Sequence, residues 1–254
     1  MTQQASTAGT VKSRIRAPEE LASSGAPTLI NLLSRALKDR SPTVRDKAVL
    51  LVTEKGFDHV VHLVEPLLYD KSGDVRYDAA ECVGILGKRS AGPRPGLRAL
   101  LSDKRALIRA QAAESLALVG DKGALPKIVR LLADRVPYVR SYAASAIGDL
   151  GGIAYVERIR RILMDERSER ARVGLLEALF ALGDRAVLKD FLRFLESPDY
   201  HVRCAAANAL EVIPLKRPET QLALTALKKA KRKSLCVADR STMGRVLEAV
   251  SKPM

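Results

Sequence analysis

The chain has 254 residues, 47% of them hydrophobic, with 43 Lys and Arg against 29 Asp and Glu, a formal net charge of +14. That hydrophobic content is enough for a large core, and the positive excess brings an anionic partner into consideration. No run approaches the ~18 apolar residues of a helical membrane span, which excludes that class.

Residues 1–27 are rich in Ser, Thr, Ala and Gly and are interrupted by Pro18, Gly25 and Pro27, the composition of a flexible arm. The polar start has no apolar stretch of secretory type. Cys82, Cys204 and Cys236 lack metal-ligand spacing, so the expectation is a cytoplasmic protein with reduced thiols. From Thr28 the pattern turns helical, with Leu29, Leu32, Leu33, Ala36 and Leu37 on one face. Ser41 and Pro42 supply a cap and a first-turn proline for a second helix carrying Val44, Ala48 and Val52, and Ser197 with Pro198 repeats the signal.

The same skeleton recurs along the chain. Its reference positions Val44, Val75, Ile108, Val139, Ala171 and Val202 are 31, 33, 31, 32 and 31 residues apart, the mark of a stacked array of helical hairpins. Paired small residues such as Ala79-Ala80, Ala112-Ala113 and Ala143-Ala144 let helices approach. Gly56, Gly87, Gly120, Gly151 and Gly183 are placed to close the second helices in a left-handed C-cap. Asp39, Asp70, Asp103, Asp134 and Asp165 before the inter-helix turns match Arg45, Arg76, Arg109, Arg140 and Arg172 after them. One acid per arginine predicts a structural ladder between neighbouring repeats rather than a phosphate track.

The unit V-R-x-x-A-A-x-A-L-x-x-L-G resembles the short HEAT repeats of the PBS-lyase type over residues 28–214. The resemblance implies an all-α, right-handed solenoid of about six hairpins whose second helices line a concave face used to hold another macromolecule. Its hydroxylase branch uses His-Glu pairs as iron ligands, whereas His59, His62 and His201 are followed by Val60, Leu63 and Val202. Its bilin-lyase branch bears tryptophan, and so does the DNA cleft of the HEAT-like glycosylases; this chain has none.

Past Pro214 the repeat fades. Residues 215–254 form a basic cap, with a helix over Thr220–Ala230 whose Leu222, Ala223, Ala226 and Leu227 face the last repeat and a short helix near Met243–Val250. Its ten Lys and Arg against three acids include Lys228, Lys229, Lys231, Arg232 and Lys233, a run able to bind an anion weakly or simply to face solvent.

Three sets remain as sites. Asp58, His59, His62 and Glu65 have helical spacing for a metal, but without a third strong ligand the expectation is no metal, no cofactor and no catalytic residue. The cap lysines are the second set. The third is the inward stripe of the second helices: the two residues before each reference position and those two, three and six after it. It holds Tyr77, Tyr138, Tyr142, Tyr200, Leu50, Leu107, Gln111 and His201, and the acids Asp46, Asp74, Asp78, Glu81, Glu114, Glu169 and Glu177 against Lys47 and Arg170. The bland alternative is that Glu81, Glu114 and Glu177 pair with ladder arginines. Four tyrosines among acids suit the centre of a protein interface. The sequence therefore reads as a monomeric, non-catalytic scaffold, adaptor or regulatory subunit holding a protein with a basic segment. Nucleic-acid binding through the basic exterior and cap is the alternative, and a bilin-lyase-like enzyme is the third.

Overall fold

The computed structural model describes residues 27–87 and 94–251. Apart from Pro27, the expected arm lies outside them. The protein is all-α, with no strand among the described residues, and it divides after Asp121 into two compact units. The first contains α1 (Pro27–Ala36), α2 (Pro42–Glu54), α3 (Val61–Val64), α4 (Gly73–Leu86), α5 (Pro95–Leu100) and α6 (Ala106–Leu118). The second contains α7 (Leu125–Ile128), α8 (Pro137–Asp149), α9 (Val156–Asp165), α10 (Glu169–Ala181), α11 (Leu188–Arg193), α12 (Tyr200–Val212), α13 (Arg217–Lys233) and α14 (Val237–Ser251).

The second helices form one row in each unit: α2 packs on α4 and α4 on α6, then α8 on α10, α10 on α12 and α12 on α14. Their small residues set the spacing. A Cβ on Gly174 would lie 2.4 Å from the Ser141 carbonyl oxygen, and one on Gly84 would lie 2.7 Å from Ser115 Oγ, so these helix pairs approach backbone to side chain without a gap. Val44, Val75, Ile108, Val139, Ala171 and Val202, the periodic positions, are all buried.

Several expectations need correction. The first helices of the hairpins are short and broken rather than continuous: residues 58–69 run as a 3-10 turn, α3 and a second 3-10 stretch, and residues 122–133 do the same around α7. Residues 185–196 break in the same way around α11 with no proline among them, so Pro66 and Pro126, which stand in first turns where a missing amide donor is tolerated, are not the common cause. Ser41 makes no side-chain cap; its amide is instead bound by Asp39. In the last repeat the N-cap is Asp199, which accepts from the His201 amide, so α12 starts at Tyr200 and not at Pro198. Gly56, Gly120, Gly151 and Gly183 have φ of 66°, 70°, 71° and 106°, the left-handed C-cap that favours glycine. Gly87 has φ −76°, because α4 runs one residue further and the Gly87 carbonyl is taken by Arg94 Nη2.

The cap is longer than expected and turns out to be a degenerate hairpin. It is α14, with Met243 and Val246 buried, that packs along α12, while α13 contributes Ala223, Leu227 and Ala230. Leu222, expected to face the core, is 42% exposed, and Leu215 takes its place.

Candidate functional site

The turns before the second helices are built by acids that act twice. Asp70 accepts the Ser72 amide at 2.8 Å, and its two oxygens take Nε and Nη2 of Arg45, from the preceding repeat, at 2.7 Å each. Arg45 Nη1 also donates to the Asp39 carbonyl at 2.7 Å, so one guanidinium ties its own turn to the next. Asp103 repeats this with the Arg105 amide and Arg76. In the fifth repeat the acid is Glu166 and not Asp165: it binds Arg140 Nε at 2.7 Å and the Ser168 amide at 2.8 Å, and it stands five residues before Ala171, in register with Asp70 before Val75 and Asp103 before Ile108. Burial opposes ionisation of Asp70 and Asp103, yet the arginine hydrogen bonds and the turn amides outweigh it and hold both below the usual aspartate value. In Glu166 the Arg140 hydrogen bonds are the largest influence and lower it directly. These arginines are occupied by structure.

On the first unit, α2 and α4 bring expected acids together. Asp78 is pushed up to about 7 by its burial, by a hydrogen bond with Asp46, and by the charges of Asp46, Glu81 and Asp74. Asp46 Oδ1 is buried with no hydrogen-bond partner among the described residues, and Asp74 reaches Arg105 at 2.7 Å in an exposed pair. Tyr77, Glu81 and Glu114 are half-buried beside this group, and Leu107 is 47% exposed. Gln111 is the departure: it is only 6% exposed and donates to Ser115 Oγ at 3.2 Å. At the positions two and three after the reference residue burial varies from repeat to repeat: Ala110, Gln111, Ser141 and Val173 are buried, Tyr77, Asp78 and Tyr142 are half-buried, and Lys47 is exposed.

The second unit keeps Tyr138 and Tyr142 half-buried on α8, and Tyr200 and His201 exposed at the start of α12 with their rings 3.9 Å apart. Arg170 Nη1 donates to the His201 carbonyl at 3.0 Å. Glu177 accepts from Ser145 Oγ of the neighbouring helix at 2.7 Å.

In the cap, Lys228 and Arg232 are exposed, whereas Lys229 and Lys233 both bind Glu196, at 2.6 and 2.8 Å, and those hydrogen bonds hold its carboxyl down at about 2. Lys231 is half-buried against Gly244. The last ladder arginine, Arg203, is completed from here by Asp239, which is fully buried and also bonded by Ser234 Oγ. The period carries no signal for Asp239, nor for the first-unit network in which Arg94 binds Glu65 and Arg98 binds Asp121.

His62 Nδ1 lies 3.1 Å from the His59 carbonyl, and among the described residues no three His, Cys, Asp or Glu side chains converge as a metal site. Burial pushes the Cys82 thiol up to about 11, an inert core position. No helix among the described residues is long and apolar enough to cross a membrane.

A family model described as HEAT repeats matches residues 60–148 and 94–179. No curated protein sequence matches the chain. Among solved structures, it is similar to a chain of the CpcE–CpcF complex of phycocyanin lyase from Nostoc sp. PCC7120, at 19% identity and TM-score 0.62, over 89% of this chain and 96% of that one. It is also similar to YibA of Escherichia coli, at 19% identity and TM-score 0.50, over 98% and 90%. A chain of the full-length AP-3 complex matches at 16% identity and TM-score 0.58, over 93% of this chain and 48% of that one. At these identities the likeness is one of fold, a helical solenoid.

Proposed function

Starting from a chain that carries HEAT repeats over residues 60–179, we propose that this repeat-based scaffold is a non-catalytic binding module that holds a protein partner through the inward-facing side of its second helices. The observation that supports this most is the acid group on α2 and α4. Burial of Asp78, together with its hydrogen bond to Asp46 and the charges of Asp46, Glu81 and Asp74, pushes its carboxyl up to about 7. Packing acids together opposes folding, and a cationic segment of a partner would relieve that opposition.

Tyr77 and Leu107 next to these acids offer apolar area for the same segment. In the second unit Tyr138, Tyr142, Tyr200 and His201 form the corresponding contact set, with Glu114 in the first unit adding charge. Gln111, being buried, is left out of the set. The proposed partner carries Lys or Arg on a helix or loop.

The test is affinity capture followed by mass spectrometry, with and without nuclease, using the natural chain, Asp78→Lys and Tyr142→Ala. A partner retained after nuclease and lost from both variants, with neither variant melting earlier than the natural chain, supports the reading. Capture that disappears on nuclease treatment, or that is indifferent to both variants, contradicts it.

A further inference from the structure

The residue after each turn acid is a cation in five successive repeats: Arg40, Lys71 and Lys104 in the first unit, Arg135 and Arg167 in the second. All five are exposed, and none makes an ion pair among the described residues. They differ in this from Arg45, Arg76 and Arg140, which are spent on carboxylates, and from Lys229 and Lys233, which are spent on Glu196.

Their position is unfavourable toward the following helix, although each adjoins a turn acid and the Lys104 charge helps to keep Asp103 ionised. Each stands just before the N-terminus of a second helix, where the macrodipole is positive and acids are the stabilising residues. The first turns of α2, α6 and α8 contain no acid to offset this. In the first unit a second positive group also sits against each: Arg45, Arg76 and Arg109 donate from Nη1 to the carbonyls of Arg40, Lys71 and Lys104 at 3.2, 3.2 and 3.3 Å. Those bonds fix the backbone at the turn while the charged side chain stays in solvent. Helix stability therefore accounts for neither the sign nor the recurrence of the row.

We infer that this row of turn cations is a contact surface for the phosphodiester backbone of a nucleic acid, separate from the protein-binding face proposed above. Neighbouring hairpins stack at about 8–10 Å, so within each unit the row offers one charge per repeat at regular spacing. Each phosphate of one strand of a duplex advances about 3.4 Å along the helix axis, so a duplex whose axis lies along a unit's row advances by about three phosphates of a strand per cation. A linear polymer fits such a file better than a membrane, which needs a broad patch. Because no aromatic residue is among the five, the contact reads charge and not base sequence.

The experiment is fluorescence anisotropy of labelled duplex and single-stranded oligonucleotides of mixed sequence, titrated with the full chain between 50 and 200 mM salt. Variants are Arg40→Gln/Lys71→Gln/Lys104→Gln, Arg135→Gln/Arg167→Gln, and, as a control, Lys228→Gln/Arg232→Gln. Each contact removed lowers the slope of log K against log salt by about 0.9 for duplex. The expected result is a fall of about 2.7 in the triple variant and about 1.8 in the double, across all sequences, and a smaller one in the control. An unchanged slope in both turn variants overturns the inference, as does binding to phosphatidylserine vesicles but to no oligonucleotide. Tyr77→Ala and Asp78→Asn lie on the other face and are expected to leave the anisotropy unchanged. Loss of oligonucleotide binding in those two variants would also count against a separate surface.

Discussion

The rung between Arg45 and Asp70 in the first unit and the rung between Arg203 and Asp239 in the second satisfy the same requirement from different places in the chain. Asp70 stands in the turn, one period after Asp39, and spends one oxygen on the Ser72 amide as well as on Arg45. Asp239 lies inside α14, is fully buried, and receives Arg203 and Ser234 Oγ. In these rungs a guanidinium at a seam is matched by an acid, whichever element supplies it, whereas Arg172 is satisfied by the carbonyls of Leu163 and Glu166. Where the repeat pattern stops, the cap provides that acid, and it does so at the most buried carboxylate of the ladder rungs described.

The comparison can be broken by removing the arginines. Arg203→Ala leaves Asp239 buried without its cation and is expected to cost about 3–5 kcal/mol. Arg45→Ala leaves Asp70 with its turn amide and some access to water, at a cost of about 2 kcal/mol. Urea unfolding of both variants measures the difference, and equal losses would show that burial of the acid does not set the strength of a rung.

A sharper version uses the fifth repeat. Glu166→Ala removes the acid that binds Arg140 and the Ser168 amide and is expected to cost about 2 kcal/mol. Asp165→Ala, one residue away and exposed, stays within about 0.5 kcal/mol. A larger effect from Asp165→Ala would place the rung one residue before the register that the other repeats keep.

The ladder acids and the inner acids also differ in the sign of their pH dependence. Asp70, Asp103 and Glu166 titrate lower in the folded state, so their contribution is present above the ordinary carboxylate range and is lost as pH falls through their folded values. Asp78 is raised from 3.8 to about 7. The folded protein therefore holds a proton that the unfolded chain has released, and stability from this group declines as pH rises from about 4 to about 7. Asp78→Asn is expected to remove that decline and to raise the melting temperature at pH 8. If wild type and variant keep parallel melting curves across this range, the acids are better solvated than the structure indicates.

The smallest contrast concerns two glycines that share a repeat position. Gly120 has φ 70° with open space around its Cβ position, so Gly120→Ala should cost about 1 kcal/mol through backbone strain alone. Gly87 has φ −76°, and Gly87→Ala should cost less than that. A thermal melt of each separates the two.

The periodic skeleton made the hairpins, the buried reference positions and most of the ladder legible in the sequence, because each rests on local spacing of 31–33 residues. Glu166 was legible too, being the acid five residues before Ala171 as Asp70 is before Val75, and only the preference for an aspartate pointed to Asp165. Two things were not legible. Asp239 sits in an element with no period. The narrowing of the inner face, which buries Gln111, Ser141 and Val173, follows from how closely Gly84, Gly148 and Gly174 let successive helices approach, a distance that a helical wheel does not contain. The candidate site was thus visible as a list of residue types, while which of them are exposed depended on packing.

The most direct measurement of the central claim is partner capture by Tyr77→Ala/Tyr142→Ala beside the natural chain, after nuclease, with thermal melting run on the same samples. The account predicts that each tyrosine contributes on the order of 2 kcal/mol to binding, so that a protein captured by the natural chain falls by more than tenfold in the double variant while the melting temperature stays within a few degrees. Full capture by a normally folded double variant, or early melting of that variant, would contradict the assignment of these side chains to a binding face.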